Sequence, residues 1–431
     1  AWELLATRNE APLVQSAASC EELVQALTDN PHESSLKVLS LSWTPQLEIH
    51  QLVAIVEAQT NLQELVLYNA FKEREKIALT PFVDALKTHP KLQKLTFLHS
   101  RMDSSTYKWA LYSVLEGNQG ITSLCTDGFY SDNAAWLARL LRSNTQLKAV
   151  NLSHPEFDSD QYRRSGNYGS ALSLIRGIET AHSRLIKVNL MGLDLGEEGA
   201  KTLRNILQDP KSTIQSLICG SMTTTPSNFA LVVGGLITNK SVKKFTIRSL
   251  NLDPIGAQTV ADVIIFNSCL ESLVLGASQR RYRLRRRQTG TEQEVAPLAA
   301  LIASALANNC SLKALALPTN MNENDCIYQF QNCLQHSNRT LERLQFWPKT
   351  PCENESIMYL TRLNQCGRGT LLSGDVPVAL WAYVFASSEL DTLRYFVQEY
   401  PAIISQVPTT QTAVKRKPCD VGISTLKKAK K

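Results

Sequence analysis

Six arginines within eight residues, from 280 to 287, form the densest cluster of charge in the sequence. Guanidinium groups pair bidentately with phosphate and carboxylate oxygens, and an interleaved tyrosine could stack on a base. Because so many cations cannot be buried together, we expect a solvated loop. The segment predicts contact with an anionic partner, either RNA or DNA or an acidic protein, with a charged loop that has no partner as the alternative. The residues of this anion-binding loop are Arg280, Arg281, Tyr282, Arg283, Arg285, Arg286 and Arg287.

Two more basic clusters, separated by ten residues, lie near the end of the sequence. An extended segment of this kind can place two groups of Lys and Arg in two acidic, aromatic-lined pockets at once. The pattern resembles a bipartite nuclear localisation signal. That resemblance implies importin-α as a partner and the nucleus as the location, with the cytoplasm, or a non-specific polyanion-binding tail, as alternatives. The residues of this signal are Lys415, Arg416, Lys427, Lys428, Lys430 and Lys431.

Patterns typical of catalysis, metal binding or membrane insertion are not found in the sequence. The seven histidines lack metal-ligand spacing, and there is no phosphate-binding glycine loop or nucleophile motif. The ten cysteines form no Cys-x-x-Cys pair, which favours free thiols in a reducing compartment inside the cell. No apolar run is long enough to cross a bilayer. We therefore expect a protein that is not an enzyme, uses no cofactor and does not enter a membrane.

The net charge of +6 is concentrated in two places. The Arg-rich segment has six cations, and the last 17 residues have seven against one acidic residue. The rest of the chain has 32 Lys and Arg against 38 Asp and Glu. The basic character is therefore predicted to belong to two local segments, not to the surface as a whole.

The element that positions these segments is a sequence repeat. The pattern L-x-x-L-x-L, with other apolar residues allowed, occurs eleven times, and eight of the ten spacings between motifs are 26 to 30 residues. Such a period predicts a solenoid, in which each unit buries its apolar residues against its neighbours. The motifs begin at Leu36, Leu62, Leu92, Ile121, Leu147, Leu185, Ile214, Val242, Leu270, Leu312 and Leu341.

An asparagine stands three residues before the motif in six of the repeats. Asn tolerates the left-handed conformation that ends a helix, so we take it as the turn between a helix and the next strand. Upstream of the turn, apolar residues recur with helical spacing, as from Leu298 to Leu306. Each unit is therefore predicted to be a short strand followed by a helix. The six residues are Asn118, Asn144, Asn239, Asn267, Asn309 and Asn338.

This unit resembles the ribonuclease-inhibitor-like class of leucine-rich repeats, most clearly from Asn189 to Leu207, where Gly196 and the pair Gly199-Ala200 occupy typical turn and helix positions. The pair Gly256-Ala257 repeats the pattern. The resemblance implies an α/β horseshoe solenoid with a parallel inner sheet and outer helices. It favours a non-catalytic protein-binding scaffold or regulator. A nucleic-acid-associated protein that uses the Arg-rich loop and basic tail, and an inhibitor or activator like ribonuclease inhibitors or GTPase regulators, are the alternatives.

The repeat also predicts the domain organisation. Residues 1–35 are expected to be N-terminal capping helices, and residues 36–350 about eleven repeats. Insertions are expected near 154–170 and 277–294. Residues 351–406 are expected to form a helical C-terminal cap, followed by a disordered basic tail at 407–431.

The concave face of such a sheet is the expected surface for a protein partner. Residues alternate between the two faces of a strand, so we select the position after the third apolar residue of each motif and the residues beside it. Tyr and Trp are favoured anchors at protein interfaces. For the terminal Trp43 and Trp347, packing against the caps is an equally good explanation. The predicted binding residues are Trp43, Tyr68, His99, Phe129, Met191, Arg248 and Trp347.

Overall fold

Two compact units divide the chain, residues 1–369 and residues 370–431. The structure is a computed structural model. In the second unit it describes only Gln398, which is helical. All strands and helices given below belong to the first unit. Across the chain, the described residues are 4–8, 11–15, 25, 36–42, 49–68, 76–98, 105–126, 134–152, 168–191, 193, 195–220, 226–248, 252–276, 295–318, 324–347, 350–351, 354–365, 368 and 398.

A parallel sheet of eleven described strands forms the centre of the first unit. Each strand begins two residues after the opening residue of one motif, and neighbours in the sheet are neighbours in sequence. The order is linear and the sheet does not close, which confirms the predicted solenoid. The strands are β3 (Val38–Ser42), β4 (Glu64–Tyr68), β5 (Lys94–Leu98), β6 (Ser123–Thr126), β7 (Ala149–Asn151), β8 (Lys187–Leu190), β9 (Ser216–Cys219), β10 (Lys244–Arg248), β11 (Ser272–Gly276), β12 (Ala314–Pro318) and β13 (Arg343–Trp347).

One helix lies between each pair of consecutive parallel strands, and another follows the last. Most helices pack against the helix of the next repeat. This is the strand-and-helix unit that the motif spacing predicted. The helices are α1 (Ile49–Ala58), α2 (Lys76–Thr88), α3 (Ser105–Gly117), α4 (Ala134–Ser143), α5 (Tyr168–Ala181), α6 (Gly196–Gln208), α7 (Pro226–Gly234), α8 (Pro254–Phe266), α9 (Val295–Ala307), α10 (Asn324–His336) and α11 (Glu355–Gln365).

The core lies between the sheet and the helices. In β11, Leu273 and Leu275 are fully buried, and in α8 so is Val260, whereas the intervening strand residues are partly exposed. The two-residue period of the strand and the helical period of α8 therefore converge on one apolar layer, and burial of this layer is the main stabilising term.

Local sequence also fixes where α6 and α8 begin. Gly196 has φ 59°, in the left-handed region that other residues enter at a cost, and it opens α6. In α8 the Asp253 side chain accepts a hydrogen bond of 2.8 Å from the Gly256 N–H, and Pro254 follows as the first helical residue. The glycine positions that carried the family resemblance thus lie at helix starts.

Residues 4–15 correct the prediction of capping helices for 1–35. They form two antiparallel strands, β1 (Leu4–Arg8) and β2 (Ala11–Gln15), and β1 pairs with the first parallel strand through Thr7 and Val38. An unpaired edge strand invites association with other chains, and the hairpin covers that edge. At the other end β14 (Thr350–Pro351) pairs antiparallel with β13. Both edges of the parallel sheet are therefore paired.

The predicted insertions and the predicted C-terminal cap are only partly covered by the described residues. The two insertions largely coincide with residues outside the described set, except that Tyr168 already begins α5. Of the predicted cap at 351–406, α11 lies in the first unit, and Asn364 donates a hydrogen bond of 2.8 Å to the Leu341 carbonyl. The remainder of that cap, apart from Arg368 and Gln398, and the tail at 407–431 lie outside the described residues.

A ladder of side-chain hydrogen bonds joins the repeats where each helix turns into the next strand. Asn267, which is 3% exposed, donates to the carbonyls of Leu236 (2.6 Å) and Asn239 (2.9 Å) in the preceding repeat. Its carbonyl oxygen accepts from the N–H groups of Cys269 and Leu270, both at 2.8 Å. Burial at this boundary removes backbone N–H and C=O groups from water. The Asn267 amide satisfies such groups in both of the repeats that meet there.

Other residue types continue the ladder where asparagine is missing. The Arg184 guanidinium donates to the Leu141 carbonyl, and the Thr213 hydroxyl donates to the Leu185 carbonyl at 3.0 Å. The buried Arg368 donates to the carbonyls of Leu334 and Asn338, beyond the last asparagine. The described residues that donate along the ladder are His89, Asn118, Asn144, Arg184, Thr213, Asn239, Asn267, Asn309, Asn338 and Arg368.

The sequence therefore predicts the position of these asparagines correctly, but the reason for asparagine at that position is different. Asn267 ends α8 with φ −90° and ψ 119°, an extended conformation. Tolerance of the left-handed region plays no part there. The side-chain amide is what the position requires, since it supplies a donor and an acceptor together.

We expect Asn267→Ala to lower the free energy of unfolding by roughly 3 kcal/mol, because it leaves buried backbone donors and acceptors unsatisfied. Urea unfolding followed by circular dichroism measures the change. Asn205→Ala is the matched control, since Asn205 lies on α6 with an exposed side chain. Equal unfolding midpoints for the two variants would show that the ladder does not stabilise the repeats.

His89 should make one repeat boundary sensitive to acid. Its ring hydrogen-bonds to the Gln59 carbonyl (3.1 Å) through Nε2, and Nδ1 accepts from the Lys91 N–H (3.4 Å). Burial lowers the pKa of His89 below its usual value, although the bond to Gln59 opposes the shift. The folded state thus takes up a proton less readily than the unfolded chain, so stability is complete above about pH 6.5 and declines as the pH falls through the lowered pKa.

We therefore expect His89→Asn to reduce the loss of stability between pH 7 and pH 5. Asparagine can keep both hydrogen bonds, as Asn118 does in the next repeat. Urea midpoints at pH 5, 6 and 7 test this, with the exposed His336→Asn as the control. If His89→Asn loses as much stability as the wild-type chain over this interval, His89 is not the acid-sensitive group.

Candidate functional site

The face of the sheet that points away from the helices is a regular surface that the described elements leave open. In β6, Leu124 is buried against the helices, whereas Ser123 and Cys125 on either side of it are partly exposed. A similar alternation in the other strands gives two rows of residues, which we call the first row and the third row after their positions in the strand, although Thr96 and Ala316 of the third row are buried. Strand pairing holds each row in register across all eleven repeats.

The two rows differ in charge. The third row contains no Asp, Glu, Lys, Arg or His, and its side chains are mostly small. The first row has four cations and one carboxylate, and in it Lys94 pairs with Glu64 at 2.6 Å. In strand order the first row is Val38, Glu64, Lys94, Ser123, Ala149, Lys187, Ser216, Lys244, Ser272, Ala314 and Arg343. The third row is Ser40, Val66, Thr96, Cys125, Asn151, Asn189, Ile218, Thr246, Val274, Ala316 and Gln345.

The predicted concave residues are spread along the sheet. Tyr68, Arg248 and Trp347 end strands β4, β10 and β13, and Met191 follows β8. Register pairs Tyr68 with Ser42 and Leu98, and Trp347 with Pro318. Because neighbouring strands are about 4.8 Å apart, β4 and β13 are separated by roughly 40 Å, so these residues do not form one compact site. Trp43, His99 and Phe129 lie outside the described residues, as do the Arg-rich loop and the basic tail.

Sequence reasoning missed the first and third rows. It selected one position after the third apolar residue of each motif, whereas the outward positions within the motif are its two inner variable residues. Strict alternation along each L-x-x-L-x-L could have identified them. The outward surface of the described strands is therefore made by these rows, and the predicted aromatic residues stay a prediction.

A continuous backbone ladder holds the edge where the strands begin. The Lys243 carbonyl, for example, accepts from the N–H groups of Glu271 (2.8 Å) and Ser272 (2.9 Å) in the next repeat. The same double acceptance recurs at every boundary between neighbouring parallel strands. The residues just before the first row are consequently as regularly placed as the strands themselves.

Asp209 is one of the few acidic side chains at this edge. The Lys211 N–H donates to it at 2.8 Å, and His182 Nε2 lies 3.0 Å from its other oxygen. The pKa of Asp209 is lowered, chiefly by the hydrogen bond from the Lys211 backbone and also by His182. This carboxylate is therefore already paired within the protein.

The described cysteines are free thiols, and Cys219, Cys326 and Cys333 are buried. Burial raises the pKa of the Cys219 thiol and raises that of Cys333 to about 11, so both remain protonated at neutral pH. Cys310 is exposed. Within the described ranges no three His, Cys, Asp or Glu residues are grouped to bind a metal ion, and no helix has the length and apolarity to cross a bilayer.

A shallow depression of about 430 Å³ lies on the outer side, between α3 and α4. Tyr112, Trp136, Arg139, Arg142 and Ser143 line it. The Arg142 Nε donates to the Ala138 carbonyl at 3.2 Å, which directs part of its guanidinium to its own helix. The depression is small compared with the open face of the sheet.

No protein-family model matches the chain. NACHT, LRR and PYD domains-containing protein 5 of Bos taurus is 24% identical over 260 residues, which are 60% of this chain and 22% of that protein. The chain therefore spans less than a quarter of the length of this curated relative. Two solved structures are also similar, each at 15% sequence identity.

The first structure is the leucine-rich-repeat-containing protein LegL7 of Legionella pneumophila, with a TM-score of 0.47 and coverage of 79% of this chain and 98% of that one. The second is the complex of Rad7 and Elc1 in yeast, with a TM-score of 0.43 and coverage of 73% and 70%. At such low identity the likeness is confined to chain architecture.

Proposed function

We propose that this chain, a leucine-rich-repeat solenoid, is a non-catalytic scaffold that binds a protein partner on the open face of its sheet. The observation that supports this most directly is the register of the first and third rows through eleven repeats. The rows form a regular surface, mostly of small and polar side chains. No described element covers this surface. Preformed surfaces lose little conformational entropy on binding.

The middle of the sheet is the best place to test this surface. Thr246 and Val274 are third-row neighbours on β10 and β11, and each is partly exposed. Neither side chain faces the buried layer, so arginine at both positions should obstruct the face without unfolding the repeats. On the outer side, Ile255 is 64% exposed at the start of α8 and offers a control of similar chemistry.

We expect the double variant Thr246→Arg, Val274→Arg to reduce capture of specific partners from a lysate at least tenfold, while Ile255→Arg retains them. Quantitative mass spectrometry of the captured proteins measures this, and circular dichroism verifies that both variants are folded. The opposite pattern, with partners lost in Ile255→Arg and kept in the double variant, would move the interface to the helices and reject the proposal.

We also propose that the chain is directed to the nucleus by its basic tail and importin-α. The support is the sequence pattern, with two clusters separated by ten residues. A cytoplasmic location is the alternative. No structural observation favours RNA binding by the Arg-rich loop, which stays a prediction from sequence.

A fluorescent fusion that ends at Thr412 should lose nuclear accumulation, because it lacks both clusters. Replacing only Lys427, Lys428, Lys430 and Lys431 by Ser should have nearly the same effect, since a bipartite signal requires both pockets to be filled. Confocal imaging gives the ratio of nuclear to cytoplasmic fluorescence. Continued nuclear accumulation of the truncated fusion would exclude the tail as the signal.

A further inference from the structure

The edge of the sheet where helices turn into strands carries an excess of positive charge that no single stretch of sequence shows. We define this basic edge by residues 36–38 and by the turn segments that follow the helices and end at the first residue of the next strand: 59–64, 89–94, 118–123, 144–149, 182–187, 209–216, 239–244, 267–272, 309–314 and 338–343.

The basic edge holds thirteen cations and four acidic residues. Apart from this edge, the Arg-rich segment and the tail, the chain has 19 Lys and Arg against 34 Asp and Glu. The edge is therefore a basic strip on an otherwise acidic protein. Its cations are Lys37, Lys91, Lys94, Lys148, Arg184, Lys187, Lys211, Lys240, Lys243, Lys244, Lys313, Arg339 and Arg343, and its acidic residues are Glu64, Asp209, Glu271 and Glu342.

The repeats that contain β7 to β10 carry the densest part of the strip. Exposed lysines occur there at 148, 187, 211, 240, 243 and 244. Lys243 lies 3.8 Å from Glu271, and the other five lysines make no ion pair with any residue that the structure describes. Exposed cations grouped beside an open surface attract an anionic ligand.

An apolar pair adjoins this dense part of the strip. Phe266 is 66% exposed and Ile265 is 46% exposed, at the end of α8. The next residue, Asn267, donates to the Asn239 carbonyl, and Lys240 directly follows Asn239. The Phe266 backbone is therefore close to the lysines of the preceding repeat, so the strip combines positive charge with a hydrophobic anchor.

Two features favour a protein ligand over a nucleic acid. Glu271 interrupts the strip between Lys243 and Lys313, to which the backbone ladder joins it. A nucleic-acid strand carries a negative phosphate about every 3.4 Å, so one of its phosphates would be repelled by the Glu271 carboxylate. A peptide can place a neutral residue at that position. The neighbouring third row is uncharged, so it offers nothing to the phosphates of a nucleic acid.

We propose that the basic edge binds an acidic protein segment that also carries apolar residues. The inference rests on the proposed function and adds the chemistry of the partner. Acidic side chains of the ligand pair with the lysines of the repeats that contain β7 to β10, and an apolar side chain packs on Ile265 and Phe266. The remainder of the ligand lies across the first and third rows.

Fluorescence anisotropy with labelled probes of equal charge tests this. The principal probe is a 20-residue peptide with blocked ends, (Glu-Leu-Asp-Ser)5, of charge −10. A second peptide, (Glu-Ser-Asp-Ser)5, lacks the apolar residues, and an oligouridylate of charge −10 represents nucleic acid. We expect the full-length chain to bind the first peptide most tightly, and its affinity to fall as NaCl rises from about 50 to 300 mM.

The triple variant Lys187→Glu, Lys240→Glu, Lys244→Glu should weaken binding of the principal probe at least tenfold. The matched control is Arg139→Glu, Arg176→Glu, Arg204→Glu, which makes the same change of charge at exposed helix positions. Both triple variants are measured in the full chain and also with the six arginines of 280–287 replaced by Ser. Binding of the probe to this segment then cannot hide a change in its binding to the basic edge.

Equal weakening by both triples, no weakening by the first, or no binding of the peptide would overturn the proposal. Tighter binding of the oligouridylate would replace it with nucleic-acid binding. In each of these cases, partner loss in the Thr246→Arg, Val274→Arg variant would still uphold the open face as a protein-binding surface. Failure of the partner's chemistry can thus be told apart from failure of the scaffold function.

Discussion

The hydrogen-bond ladder at the repeat boundaries is the constraint on which the rest of the structure depends. Stacked repeats bury the turn between each helix and the next strand, together with backbone groups that can no longer bond to water. Where the residue is asparagine, as at Asn338, one side chain satisfies them with two donor and two acceptor contacts. Apolar burial drives the stacking, but the ladder fixes where one repeat sits on the next, and so fixes strand register.

Register in turn creates the surfaces that could have a function. The residues of the first row are 26 to 42 positions apart in the sequence, yet lie one strand apart in the sheet. The same spacing aligns the lysines of the basic edge. Neither surface depends on a long loop, so both are as rigid as the repeats, and a ligand that fits them pays little for ordering the protein.

Much of the fold could be predicted from sequence because it is periodic. Every parallel strand begins two residues after a motif start, and Asn239 and its equivalents lie at the boundaries as expected. The hairpin at 4–15 escaped prediction because a capping segment has no repeat to identify it. Arg184, Thr213 and Arg368 escaped for a related reason: any donor that reaches the preceding carbonyls can replace asparagine, so residue type does not reveal the role. Of the candidate site, the predicted concave residues stay a prediction, while the charged edge required three-dimensional register.

The antiparallel strands at the two ends of the sheet have a consequence for assembly. A stack of parallel repeats has unlike ends, so one copy could be continued by the next, and such head-to-tail addition would build an open filament. At one end β1 lies against β3, and at the other β14 lies against β13, each running opposite to the strands of the array. The antiparallel partners occupy Val38 of β3 and Gln345 and Phe346 of β13, so a parallel strand from a second copy cannot pair at those positions. Within the described residues, the reversed strands therefore disfavour head-to-tail addition of one copy to the next.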